Sequence, residues 1–116
     1  MPEPDCLFCS IAARRISATF VHEDAEVVAF QDIAPHMPVH IILVPRLHLA
    51  GLADLSAETA PLVGRIALVA KNLAETMGIA ASGYRLVANC GPDAGQTVHH
   101  LHFHLLGGGP MGGKMA

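Results

Sequence analysis

Val98-His-His-Leu-His-Phe-His-Leu-Leu106 alternates imidazoles with apolar side chains. Successive side chains of a strand point to opposite faces. The alternation predicts a strand with His100, His102 and His104 in a row on one face. His99, Leu101, Phe103 and Leu105 then share the other, and the apolar set belongs in a core. Neighbours in such a row stand about 7 Å apart and the outer two about 13 Å. Two of them can reach one zinc ion, but three on a flat strand converge poorly on a single metal. The row is better suited to an extended anionic group such as a phosphate or phosphoramidate. Imidazolium donors stabilise its oxygens, and a neutral imidazole attacks phosphorus. An affinity tag has consecutive histidines, without the alternation seen here.

Just upstream, Gly91-Pro-Asp-Ala-Gly95 reads as a loop whose backbone N–H groups can cradle an anion, with Gln96 and Thr97 adding donors. Further out, residues 84–89, 39–44, 26–31 and 19–22 read as strands. Val39-His-Ile-Ile-Leu-Val44 is the strongest of these, β-branched and flanked by prolines. Residues 60–77 repeat apolar side chains at spacings of three and four, which predicts a helix that starts near Thr59 or Ala60 and stops at Gly78. A short helix is expected over 5–17, capped by Asp5, with Leu7, Ile11 and Ile16 near one face. Residues 107–116 are Gly-rich and aperiodic. This order predicts an α+β fold with a mostly antiparallel sheet.

The 116 residues suit one domain. Hydrophobic residues make up 52% and charged ones only 15%, which excludes a disordered polyelectrolyte and suggests an apolar surface covered by a partner. A formal charge of −3 argues against bulk binding to nucleic acid. No uncharged apolar run is long enough to span a membrane, and the start, Met1-Pro-Glu-Pro-Asp5, lacks the pattern of a secretory signal. Three cysteines are an odd number for a disulfide framework. The expected compartment is the cytoplasm.

Gly95-Gln-Thr-Val-His-His-Leu-His-Phe-His-Leu-Leu-Gly-Gly108 resembles the signature of the histidine triad (HIT) superfamily, His-φ-His-φ-His-φ-φ with φ apolar. Further blocks resemble the family in family order: Cys6-Leu-Phe-Cys-Ser-Ile11, Ala29-Phe-Gln-Asp-Ile-Ala-Pro35, His40-Ile-Ile-Leu-Val-Pro-Arg-Leu-His48 and Tyr84-Arg-Leu-Val-Ala-Asn89. The resemblance covers residues 5–108, taken as the domain, with 109–116 as a flexible tail. Leu-Gly-Gly after the triad is similar to the Hint branch, the purine nucleoside phosphoramidases. His104 stands where related nucleotidyltransferases have glutamine, which disfavours transfer chemistry.

The resemblance implies a five-stranded antiparallel sheet with one long helix and a short N-terminal helix. It also implies a homodimer in which two sheets join into a ten-stranded one. The implied reaction is hydrolysis of the P–N bond of purine nucleoside 5′-phosphoramidates, giving AMP or GMP and an amine. The alternatives are a dinucleoside polyphosphate hydrolase and a nucleotide- or zinc-binding interaction module. His102 is then the nucleophile and forms a nucleotidyl-histidine. His104 holds phosphate oxygens, His100 completes the triad, and His40 joins a proton relay. Asn89, Gly95, Gln96 and Thr97 face the sugar-phosphate, Asp32 the ribose hydroxyls and Ile33 the base. Thr97 replaces the serine usual in the Hint branch. The tail lacks the aromatic residue that several Hint proteins place near the partner's site, which leaves the leaving group open. Cys90 reads as a small buried hydrophobe.

Cys6-x-x-Cys9 has the spacing of half a zinc site. Some bacterial HIT proteins complete such a site with the histidine of the Pro-x-x-His block and the first triad histidine, which here implies Cys6, Cys9, His48 and His100. A Cys2His2 set leaves no open position, so the implied zinc is structural. The competing reading is two small residues packing the first helix on the sheet.

Overall fold

The computed structural model describes residues 5–113. Along the chain run α1 (Leu7–Ala12), β1 (Phe20–Glu23), β2 (Val27–Gln31), β3 (Val39–Pro45), α2 (Pro61–Thr76), β4 (Tyr84–Val87) and β5 (Phe103–Gly107). The strands form one antiparallel sheet in the order β1-β2-β3-β5-β4. The expected α+β class, the five strands, the long helix and the short one are all present.

Both faces of the central strands are covered, which is why β2 and β3 read as nearly unbroken apolar runs. On one face Val27, Ala29, Ile41, Leu43, Leu101, Phe103 and Leu105 pack under Ile66, Val69 and Leu73 of α2. On the other, Val28, Phe30, Ile42 and Val44 pack under Phe8, Ile11 and Ala12 of α1. The alternation in 101–105 therefore faces the core as expected. Pro61 occupies the first turn of α2, where its missing N–H costs nothing. The separate turn before it is closed by reciprocal Ser56 and Thr59 hydrogen bonds. Gly78 follows α2 at φ 76°, a left-handed position that suits glycine.

Several elements are shorter than the sequence pattern predicts. α1 covers Leu7–Ala12 rather than 5–17, because Arg14 at φ 60° turns the chain and Arg15 N–H returns to the Ser10 carbonyl. Its cap is Cys6, whose sulfur accepts from Cys9 N–H, and not Asp5. Leu7 and Ile16 are exposed while Phe8 is buried, so Phe8 is the anchor of the helix. β4 ends at Val87, before Asn89. β5 begins at Phe103 instead of Val98, since the ladder with β3 runs only from Val39↔Gly107 to Leu43↔Phe103. Upstream, Leu101 N–H donates to the Leu49 carbonyl. Cys90 is exposed, contrary to its expected burial. Of the expected tail, residues 114–116 lie outside the described residues, as do residues 1–4 of the N-terminal stretch. Arg85 donates to the carbonyls of Met111 and Gly112.

Candidate active site

The triad straddles the point where β5 leaves the sheet. His104 lies within the ladder opposite Ile42 and Val87. His102 and His100 lie on the irregular segment before it, so the three do not form the flat row expected of a full strand. The rings of His102 and His104 stand 5.1 Å apart. His100 is fully buried, with its Nε2–H donating to the Pro45 carbonyl at 2.8 Å. That side-chain bond stands where the ladder has ended.

Hydrogen bonds fix the tautomers. His102 Nδ1–H donates to the His100 carbonyl at 2.7 Å, which leaves the Nε2 lone pair for attack. Phe8 meets the His102 ring edge to face, with centroids 4.9 Å apart. His40 Nδ1 accepts from His36 N–H at 3.0 Å, so the His40 proton sits on Nε2. That N–H faces His104 Nδ1 at 2.9 Å and Asp32 Oδ2 at 3.3 Å. His104 Nδ1 is therefore an acceptor, and its Nε2–H remains to donate to an incoming oxygen. Asp32, His40 and His104 are close enough together to suggest a cation site. The proton on His40 Nε2 makes them a hydrogen-bonded chain instead.

Burial, reinforced by the neighbouring His102 and His40 imidazoles, pushes the pKa of His104 down to about 4. Burial also lowers His40, with Asp32 opposing. Burial takes His100 down to about 4 against the pull of the Pro45 carbonyl. His40 and His104 thus stand as neutral donors near pH 7, in place of the imidazolium donors expected from sequence.

Beside the triad, Phe8, Ile11, Phe30 and Ile42 line an apolar pocket of about 250 Å³ with Ser17 and Asp32 at its rim. Ile33 stands at the lip, 98% exposed. Asn89 lines a neighbouring hollow with His36, His40 and His104. The structure thus brings together Asp32, Ile33, His40, His102 and His104, with Asn89 adjacent. Gln96 ties its loop together and to the segment before α2: Oε1 accepts from Gly91 N–H, and Nε2 donates to the carbonyls of Val98 and Ala50. Gly95 holds that loop at φ 80°. Thr97 lines the opening beside Cys6 and His48, on the metal-ligand side. Sequence reasoning missed the pocket-lining role of Phe8, Phe30 and Ile42, though Phe8 was visible between the two cysteines and Phe30 beside Gln31-Asp32.

Behind the triad, ligand atoms of Cys6, Cys9, His48 and His100 all lie within 4.8 Å of one another. His100 Nδ1 stands 3.3 Å from Cys6 Sγ and 3.4 Å from Cys9 Sγ, and His48 Nδ1 is 3.3 Å from Cys9 Sγ. Tetrahedral Zn–S and Zn–N bonds of about 2.3 and 2.1 Å require N···S edges of roughly 3.5 Å. The cluster fits a tetrahedral metal ion. Because His100 Nε2 carries the proton given to Pro45, its Nδ1 lone pair is the one turned to the sulfurs.

Residues 5–115 match the family described as "Scavenger mRNA decapping enzyme C-term binding". The chain is 42% identical over 112 residues to a purine nucleoside phosphoramidase of Escherichia coli (strain K12), covering 97% of this chain and 94% of that protein. A HIT family hydrolase from Clostridium thermocellum superposes with a TM-score of 0.96 at 44% identity, over 98% of this chain and 99% of that one. A histidine triad protein from Clostridium difficile gives 0.96 at 39% identity, over 99% and 100%.

Proposed function

This chain belongs to the histidine triad family of nucleotide hydrolases, and from that premise we propose that it cleaves the P–N bond of purine nucleoside 5′-phosphoramidates. The observation that carries the reading is the locked His102 tautomer, with a free Nε2 lone pair beside the His104 donor. The Nε2 lone pair of His102 attacks the α-phosphorus in line with the leaving nitrogen. The P–N bond breaks, its electron pair stays on nitrogen, and the amine leaves with a proton from water. His104 Nε2–H donates to a non-bridging oxygen as charge builds there. Water then displaces His102 from the nucleotidyl-histidine and releases the nucleoside monophosphate. The base is assigned to the apolar pocket under Ile33, and the ribose hydroxyls to Asp32. The phosphoramidase name of the 42% identical relative supports this substrate over dinucleoside polyphosphates.

Zinc held by Cys6, Cys9, His48 and His100 fills four positions from protein, so its role is structural. None of these side chains is the attacking group. A homodimer is the proposed assembly, supported by the edge strand β4 and the exposed Leu68 on α2 and Tyr84 on β4. The proposed place of action is the cytoplasm; no helix among the described residues is long and apolar enough to cross a membrane. The test is turnover of an adenosine 5′-phosphoramidate beside diadenosine polyphosphates, with and without chelator. Preferred cleavage of the phosphoramidate is expected, with turnover at saturating substrate persisting after chelation in the protein that stays folded, because zinc takes no part in the bond-breaking step. Preference for the polyphosphates would refute the substrate assignment.

A further inference from the structure

We propose that metal binding and nucleotide binding are energetically coupled through α1, with Phe8 as a positioning residue for His102. The proposal rests on the metal and nucleotide readings above and extends them. Phe8 lies between Cys6 and Cys9 in the sequence, on the turn that carries both sulfurs. Cys6 caps that turn: its sulfur accepts from Cys9 N–H and its carbonyl from Ser10 N–H. From the same turn the Phe8 ring reaches three partners. It meets His102 at 4.9 Å, Phe30 at 5.6 Å and His100 at 6.1 Å between centroids, each edge to face. It also forms part of the apolar pocket wall with Leu7 and Ile11.

α1 has six residues, too short to hold its shape alone in water. Its remaining ties to the sheet include the packing of Ile11 and Ala12 and the Arg46 guanidinium on the Ala12 carbonyl. A metal ion on Cys6 and Cys9 fixes the first turn against His48 and His100, and so fixes Phe8 against His102 and the pocket. A nucleotide in the pocket presses on the other side of the same turn. Each ligand then favours the conformation that the other needs, and linkage makes the effect reciprocal. A second route is present in His100, whose side chain faces the metal and whose carbonyl holds His102. The experiment must separate the two routes.

The probe is the full chain loaded with Co(II), whose visible bands report tetrahedral ligand geometry, titrated with AMP. In the wild type the bands should shift, with a midpoint equal to the AMP affinity from calorimetry. Zinc-loaded protein should bind AMP at least about five-fold tighter than metal-free protein, and AMP should tighten zinc by the same factor. Phe8→Leu should keep the cobalt spectrum and, at saturating AMP, leave the bands unmoved. AMP binding to the wild type without a band shift would overturn the coupling. A full shift in Phe8→Leu would overturn the role of Phe8 and assign the route to His100. Absence of cobalt–thiolate absorption would remove the metal reading, and this proposal with it, while hydrolysis stands. Absence of AMP binding by calorimetry would remove the nucleotide reading instead.

Discussion

Acidifying the metal-free protein from pH 7.5 to pH 4 tests the buried histidines quantitatively. His100 and His104 each have a folded pKa of about 4 against an ordinary value of 6.5. A depressed folded pKa means that the unfolded chain takes up a proton which the folded chain refuses. The stability is fully present above pH 6.5 and is lost as pH falls toward 4. Integrating that difference down to pH 4 gives on the order of 3 kcal/mol for the fully buried His100, and less for His104, which is only partly buried and screened by solvent. Together the two are a sizeable part of the stability of a domain this size. His40 acts in the same direction. The carboxyl of Asp24, where the His22 hydrogen bond and the Glu26 and Val27 N–H groups outweigh desolvation, stays ionised throughout this window. The assay is urea unfolding at half-unit pH intervals with chelator present. The midpoint should fall below pH 6.5, and His104→Gln should flatten part of the slope. A midpoint that is level or rising between pH 6.5 and 4 would refute the assignment of these imidazoles as buried and neutral.

Four further outcomes are expected. His102→Ala should lower turnover by at least about 10³-fold while AMP still binds, measured by steady-state kinetics and calorimetry; near wild-type turnover would remove His102 as nucleophile. His40→Phe preserves ring volume and deletes the chain from Asp32 to His104. It should lower kcat/KM by about 10²-fold, the order that a misplaced catalytic group costs, and an unchanged value would show that His40 is packing alone. Cys6→Ser/Cys9→Ser should abolish stoichiometric zinc by metal analysis and lower the melting temperature; full retention of zinc would place its ligands elsewhere. Light scattering at micromolar concentration should give twice the 12.2 kDa protomer mass, and a monomer mass would overturn the proposed dimer.

The fold was legible where one physical requirement dominates. Val39 to Val44 reads as a central strand because the run is apolar apart from His40 and, from His40 onward, buried on both faces. Pro61 and Gly78 bracket α2 because backbone geometry makes them the start and the stop. Tertiary bonds decided the ends of β5 and α1, and pattern alone does not show them. The alternation from Val98 continues past the ladder because Leu101 still faces the core, although its N–H bonds to Leu49. The Cys6 sulfur took the cap that Asp5 was expected to provide, since its Sγ lies against Cys9 N–H and the His100 ring. The histidines and the two cysteines were visible from spacing and family resemblance. The tautomer chain through the His36 amide was not, because it depends on a backbone N–H brought to His40 by the turn at 32–38. The resemblance turns Gln96 toward the sugar-phosphate, but no local pattern shows its tertiary bonds: Oε1 accepts from Gly91 N–H within the loop, and Nε2 donates to Val98 and across to Ala50.

Covalent nucleotidylation of His102 Nε2 is measured directly by intact-mass spectrometry of a single turnover. Protein in excess over an adenosine 5′-phosphoramidate, quenched at alkaline pH across the time course, should show one adenylyl adduct that rises and decays with product formation. Peptide mapping should place it on His102. Product formed at the wild-type rate by His102→Ala, or an adduct mapped to another residue, would contradict the account.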